Sequence, residues 1–326
     1  MCEVNITCRR NSLPLSNPNN SRVVGRFAPS PTGPLHVGSL VAAVGSYVLA
    51  KNAGGQWLVR MEDLDTPRVV PGMADDILRT LETLGFRWDG EIVYQSGRGE
   101  AYRAAFDMLA ERGFVYPCGC SRTEIARLSS APHPGEEGPT YPGLCREGLA
   151  TGKVERTFRV KVGDETIFFC DGIMGECKQC LSDASGDFVV KRADGPFSYH
   201  LAVVVDDAAA GVTQVVRGAD LLSSTPRQIH LQRLLGYTTP GYFHLPLVTG
   251  RGGMKLSKRD NAVSLAAGRD LAREGWGLLI EALRFLGQEP PADLSGAPCE
   301  EILAWASAHF DIRNVPRRPA PFSEGM

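Results

Sequence analysis

No run of about eighteen apolar residues occurs in this chain, which excludes a conventional membrane-spanning helix. The first twenty residues also lack the apolar core of a secretory signal. They are rich in Asn, Ser and Pro, and residues 1–21 read as a flexible leader. Excess charge is missing too: 35 Lys and Arg against 37 Asp and Glu leave a net charge of −2. Proteins that bind nucleic acid over a broad face are often strongly basic, so any such contact here has to be local. Arg146 to Lys161 and Arg251 to Arg259 are the candidate patches. Internal repeats and low-complexity tracts are absent. The cysteine count of nine is odd. Without an export signal, this points to metal ligands or isolated thiols in a reducing cytoplasm rather than to disulfides.

The 326 residues exceed what one compact core needs, so two or three structural units are expected. Residues 22–28 read as a short buried strand, followed by a Pro/Gly-rich loop, a helix over LVAAVGSYVLAKNAG and a second strand at 56–62. This is the opening of a parallel α/β sheet. Helices follow at about 72–85 and 98–113. From Tyr116 the texture becomes loop-rich, with a strand-like ERTFRVKVG and an irregular stretch to about 187. The α/β pattern then resumes, with DFVVKR, YHLAVVVDD and VTQVVRG read as buried strands. Next comes a helix over Thr225 to Leu235, with Thr225 as N-cap and Pro226 at the first helical position. The segment 267–310 is helical, and the last sixteen residues read as unstructured.

Two stretches carry chemistry. His36-Val37-Gly38-Ser39 lies where a strand-loop-helix turn presents free N–H groups and a positive helix end, which suits a phosphate. His36 can donate to a phosphate oxygen, and Gly38 leaves room for a ribose or base. Lys255-Leu256-Ser257-Lys258-Arg259 follows Gly250, Gly252 and Gly253. Two lysines in such a loop can neutralise charge that develops on a departing pyrophosphate. Either stretch alone is more often an ordinary turn or a solvated basic loop. Three close thiols, Cys118, Cys120 and Cys145, also suggest a metal site. Its fourth ligand stays open from spacing alone, with His133 and Cys170 as the nearest conventional candidates. Cys170, Cys177 and Cys180 form a second group that lacks an evident fourth ligand and reads as ordinary loop cysteines.

In their order and spacing, the two stretches resemble the paired signatures of the class I aminoacyl-tRNA synthetases. The glutamyl branch is the nearest match. It is carried by Arg26-Phe-Ala-Pro-Ser-Pro-Thr-Gly-Pro-Leu-His-Val-Gly-Ser, Arg60-Met-Glu-Asp-Leu-Asp-Thr-Pro-Arg, Tyr199-His-Leu-Ala-Val-Val-Val-Asp-Asp and Val216-Arg-Gly-Ala-Asp-Leu-Leu, across about residues 22–265. The second signature departs from the family in ending on Arg259 instead of Ser. The resemblance implies a Rossmann-type catalytic domain in two halves, 22–115 and 188–265, separated by an inserted zinc-bearing subdomain over 116–187. A helical region over 266–310 and a tail over 311–326 complete the chain.

It further implies L-glutamate as substrate, bound by Arg26, Phe27, Ala28, Pro29, Ser30, Glu62, Tyr199 and Arg217. That set makes chemical sense. Glutamate needs two cationic partners for its carboxylates and one acid for its ammonium, and arginines grip carboxylates bidentately. ATP, accompanied by Mg2+, falls to His36, Gly38, Ser39, Lys255 and Lys258, with His36 and Lys258 as the catalytic pair. One structural Zn2+ falls to Cys118, Cys120, Tyr141 and Cys145, with Tyr141 as the fourth ligand. Only about 67 residues follow Arg259, too few for a dedicated anticodon-reading module. A short branch of the family has this truncation and this zinc insertion. It activates glutamate without tRNA and attaches it to queuosine at the wobble position of tRNA(Asp). Such a partner is a splayed, modified loop, which proteins read by shape and stacking.

Overall fold

The computed structural model describes residues 22–128, 139–149, 151–249 and 264–322. The leader over 1–21, His133, and the Arg251 to Arg259 stretch with Lys255 and Lys258 lie outside the described residues.

The expected β-loop-α-β opening is present: β1 (Val24–Phe27), α1 (Val37–Asn52) and β2 (Gln56–Met61). β1 and β2 pair in parallel, Val24 against Gln56 through Phe27 against Val59. α1 is apolar nearly all round, as a helix sandwiched on every side should be. It packs on β1 and β9 (Gln214–Gly218) and on the two C-terminal helices α8 (Leu271–Phe285) and α9 (Cys299–His309). Gly45 permits one of these contacts, because an added Cβ would come within 2.6 Å of the Leu245 side chain.

The chain continues through α2 (Met73–Thr83), β3 (Val93–Tyr94), α3 (Gly99–Glu111), β4 (Val115–Cys118), α4 (Arg122–Leu128) and β5 (Thr157–Val160). It then forms β6 (Thr166–Asp171), β7 (Gly175–Cys180), α5 (Leu181–Ala184), β8 (Phe188–Lys191) and α6 (Tyr199–Ala209). After β9 come α7 (Thr225–Leu235), β10 (Gly241–Leu245) and β11 (Val248–Thr249). α8, α9 and β12 (Ala320–Pro321) close the fold.

Among the described residues, the main sheet has the order β3-β2-β1-β9-β10-β6-β7. It is parallel except for β7, which pairs antiparallel with β6. β2 follows β1 through α1 on one side, while β9 arrives on the other side after the long insertion. The seam between β1 and β9 is therefore a topological switch point, the place where open α/β sheets bind ligands at their strand ends.

Four expectations are corrected. First, the YHLAVVVDD segment is helix α6, not a strand. Ser198 caps it by accepting from the Leu201 N–H. Packing against α3 and α7 buries the Val203-Val204-Val205 run, and burial outweighs the β-propensity of branched residues. Second, residues 161–187 are not irregular. They include the β6–β7 hairpin, which extends the main sheet beside β10. β8, read as the resumption of the main sheet, instead pairs with β5 in a separate antiparallel sheet, β4-β5-β8. The stretch 115–191 therefore supplies both a small sheet and an edge of the main one. Third, Ser224 is the N-cap of α7 and Thr225 its first helical residue. Fourth, the tail is not wholly irregular, since Ala320 and Pro321 pair with Val248 and Thr249.

Candidate active site

A cavity of about 630 Å³ opens at the switch point. It gathers residues from both halves of the sheet: Arg26, Phe27, Ala28, Pro29 and Ser30 after β1, Glu62 after β2, Tyr199 at the start of α6, and Arg217 near the end of β9. His36, Gly38 and Ser39 line its other wall. All the expected described glutamate- and ATP-site residues thus converge on one cavity.

His36 is the N-cap of α1, and its Nδ1 accepts from the Ser39 N–H at 3.3 Å. In the neutral ring this places the proton on Nε2, so the ring is a donor on that side. Gly38 leaves room for the ring, because a Cβ there would lie 3.0 Å from His36 Cε1 and 3.2 Å from Nδ1. The glycine's first effect is thus on the histidine, a role its place in the motif did not reveal.

The charged residues form a chain. Arg26 Nε donates to Asp207 Oδ1 at 3.2 Å, and Arg60 Nη1 donates to the same oxygen at 2.6 Å. Arg60 Nη2 donates to Glu62 Oε1 at 3.1 Å. Glu62 thus has a partner in Arg60, yet it still faces the cavity with its backbone N–H fixed on Pro29 O. Burial pushes the Glu62 carboxyl above its ordinary range, against the opposing pull of Arg60 and Arg26. Burial also raises the Tyr199 phenol, helped by the Glu62 carboxylate, so Tyr199 is a neutral hydrogen-bond donor.

Arg217 is held differently. Its Nε donates to His244 Nε2 at 3.1 Å and its Nη2 to Thr225 Oγ1 at 2.8 Å. Its Nη1 is buried with no hydrogen-bond partner among the described residues. No carboxylate pairs with Arg217 among them either. A buried cationic donor without a partner is costly, and an anionic ligand in the adjoining cavity would satisfy it.

Asp207, Asp206, Arg60, Thr225, His244 and Asp171 support this site; none is among the expected site residues, although Thr225 is the expected helix cap and Arg60, Asp206 and Asp207 lie in the family-matching stretches. Asp206 accepts from Gln95 Nε2, Arg98 Nε and Tyr102 Oη. The adjacent pair Asp206-Asp207 inside an apolar helix was the signal available. Two buried acids in succession require buried cations elsewhere.

The thiols meet in a separate buried cluster. The sulfurs of Cys118, Cys120 and Cys145 all lie within 4.8 Å of one another, with Cys120 Sγ to Cys145 Sγ at 3.7 Å. The Tyr141 hydroxyl sits 3.3 Å from Cys118 Sγ and 3.8 Å from Cys120 Sγ. With metal–sulfur bonds of about 2.3 Å, tetrahedral ligands stand roughly 3.7–3.8 Å apart, so this cluster can hold a metal. Gly186 supports it from behind, since a Cβ there would lie 2.1 Å from Tyr141 O. No other such cluster occurs among the described residues. Cys177 and Cys180 are free, whereas Cys170 is disulfide-bonded, against the expectation of thiols throughout. The Arg146 to Lys161 patch is only partly a surface. Arg159 is buried over the Tyr141 ring, Arg146 pairs with Asp187 and Lys153 with Glu124.

Residues 22–295 match the family described as tRNA synthetases class I (E and Q), catalytic domain. The chain belongs to this family. It is 67% identical over 300 residues to the glutamyl-Q tRNA(Asp) synthetase of Geobacter sulfurreducens, covering 92% of this chain and 96% of the relative. Its identity to the protein of the same name from Thiobacillus denitrificans is 55%, covering 92% and 97%. Among solved structures it is similar to the glutamate-tRNA synthetase of Elizabethkingia anophelis, with a TM-score of 0.76 at 26% identity, covering 93% of this chain and 68% of the other. It is also similar to a glutamate tRNA ligase from Elizabethkingia meningosepticum in complex with its amino acid, with a TM-score of 0.75 at 27% identity over the same shares. The class I fold and the ligase-type chemistry follow from membership.

Proposed function

We propose that this enzyme activates L-glutamate with ATP, without tRNA, and transfers the glutamyl group to queuosine at the wobble position of tRNA(Asp). The observation that carries the glutamate assignment is the buried, unpartnered Nη1 of Arg217 beside the same cavity as Glu62, Tyr199 and Arg26. A cationic donor for a carboxylate and an acid for an ammonium thus line one pocket. The names of the relatives with near-complete coverage support the choice of acceptor.

In the first step, an oxygen of the glutamate α-carboxylate attacks the α-phosphorus of ATP. The bond to the bridging oxygen breaks and pyrophosphate leaves. His36, donating through Nε2, and the free N–H groups opening α1 stabilise the phosphate oxygens. Lys258 and Lys255 take the charge on the departing pyrophosphate. Catalysis is positioning and charge stabilisation, with no acid–base group required on the protein. Magnesium, held through phosphates and water, supplies charge neutralisation when ATP is bound. In the second step, a hydroxyl of the queuosine ring attacks the mixed-anhydride carbonyl, the acyl–phosphate bond breaks, and AMP leaves with the hydroxyl proton passing to its phosphate or to water.

Cys118, Cys120, Tyr141 and Cys145 are the proposed ligands of one structural Zn2+. A phenolate is a less common ligand than a fourth thiolate, but the Tyr141 hydroxyl lies 3.3 Å from Cys118 Sγ and 3.8 Å from Cys120 Sγ, which supports the choice. The cluster of metal-ready thiols favours a cytoplasmic location, and the disulfide of Cys170 counts against it.

Glutamate-dependent exchange of labelled pyrophosphate into ATP, measured without tRNA, tests the activation step. Exchange with glutamate and not with glutamine supports the reading. Absence of exchange overturns it in favour of a binding protein.

A further inference from the structure

Arg217 projects from β9 toward the cavity, but what fixes its guanidinium comes from behind. Its Nε donates to His244 Nε2, so that nitrogen is an acceptor and the ring proton sits on Nδ1. Nδ1 in turn faces Asp171 Oδ2 at 2.6 Å. Asp171 ends β6, inside the inserted segment, and is nearly inaccessible to solvent, as is His244. Its other oxygen, Oδ1, accepts from three backbone N–H groups, those of Ile173, Met174 and His244. The carboxylate therefore cannot rotate without losing all three.

We infer that Asp171 and His244 form a positioning relay for Arg217: the carboxylate selects the Nδ1–H tautomer, the tautomer makes Nε2 an acceptor, and the acceptor aims the free Nη1 at the substrate carboxylate. This deepens the proposed glutamate site and rests on that reading. It also gives the β6–β7 hairpin a task in amino-acid binding, although it arises far from the other pocket residues in sequence. Neither residue reaches the cavity, so both are positioning residues and not catalytic ones.

The relay predicts an unusual result for a conservative change. In D171N, the three N–H groups retain Oδ1 as their acceptor, so the new amide nitrogen takes the place of Oδ2. It then donates to His244 Nδ1, the ring proton moves to Nε2, and two donors face each other at Arg217. The tautomer changes and the buried carboxylate charge is lost with it, so H244M, which keeps Asp171, is read beside D171N.

The test compares H244Q, whose Oε1 can accept from Arg217 Nε, with H244M, similar in length but without a strong acceptor, and with D171N. Hydrogen bonds to charged groups set the scale, so KM for glutamate in pyrophosphate exchange rises about 10- to 100-fold in H244M and D171N. KM for ATP stays within twofold, and H244Q stays within a few-fold of wild type. A merely structural role would lower kcat or the unfolding midpoint in all three variants without separating H244Q from the others. A readout independent of substrate is the solvent exchange of the Arg217 Nε–H, followed by NMR in the wild-type protein and the variants. It is slow in wild type and H244Q and fast in H244M and D171N. If wild type shows no glutamate-dependent exchange activity, the functional reading fails while the NMR comparison still decides the relay. Unchanged KM for glutamate in folded H244M and D171N, or equal Nε–H exchange in all forms, overturns the relay.

Discussion

Arg26 and Asp207, 181 positions apart, meet inside the protein with Nε 3.2 Å from Oδ1, and Arg60 shares the same carboxylate. Asp207 thus compensates Arg26 and, together with Glu62 and Asp206, Arg60. Burial pushes the Asp207 carboxyl up, but the paired charges of Arg26 and Arg60 outweigh it and hold it below the usual range. Removing one partner of a buried ion pair costs about 3–5 kcal/mol. Asp207→Asn should therefore lower the thermal midpoint clearly and weaken glutamate binding, read by calorimetry and exchange kinetics. The sign with pH follows: a depressed folded pKa gives stability that is present above the unfolded value of about 3.9 and is lost as pH falls through the folded one. The acid limb of the stability curve should flatten in the variant.

Glu62 titrates in the opposite sense. Burial raises its carboxyl, so the ionised form needed to hold an ammonium is lost at a pH above about 4.3, where an ordinary glutamate titrates. KM for glutamate should climb on the acid side before KM for ATP does. Glu62→Gln should raise KM for glutamate about 10- to 100-fold at neutral pH and remove that acid-side climb. A variant that retains wild-type KM excludes Glu62 from the pocket.

The described glutamate-pocket residues were largely legible in the sequence, because most sit at strand ends or in loops beside a recognisable motif; Tyr199, which opens α6, is the exception. What stayed hidden was long-range compensation. Nothing near Arg26 or Arg60 indicates that their partner lies in α6, and the Val203 to Val205 run disguised α6 itself as a strand. Asp171 and His244 were equally invisible, since only the hairpin's return to the main sheet brings them together. The three thiols were legible as a group. The placement of Tyr141 among them came from family resemblance rather than from spacing.

Gly38→Ala separates stability from catalysis. Alanine favours a helical position over glycine by roughly 0.5–1 kcal/mol, so the unfolding midpoint should hold or rise. The new Cβ presses on the His36 ring, and kcat for pyrophosphate exchange should fall about tenfold or more, with KM for glutamate little changed. Unaltered kcat would remove His36 from the phosphate site.

The thiol cluster predicts one metal ion per chain by elemental analysis. Cys145→Ser should abolish binding, and Tyr141→Phe should weaken it while sparing the three thiolates. Chelation should loosen the β4-β5-β8 sheet, seen as faster amide exchange there, while glutamate-dependent pyrophosphate exchange persists. A chain that purifies without metal and is indifferent to these changes contradicts the ligand set.

The most direct measurement supplies labelled glutamate and ATP to a total tRNA pool and asks which tRNA becomes labelled. Label is expected on tRNA(Asp) alone, dependent on queuosine in that tRNA and absent from pools that lack the modification. Label on tRNA(Glu), or label that does not require queuosine, would contradict the proposed function.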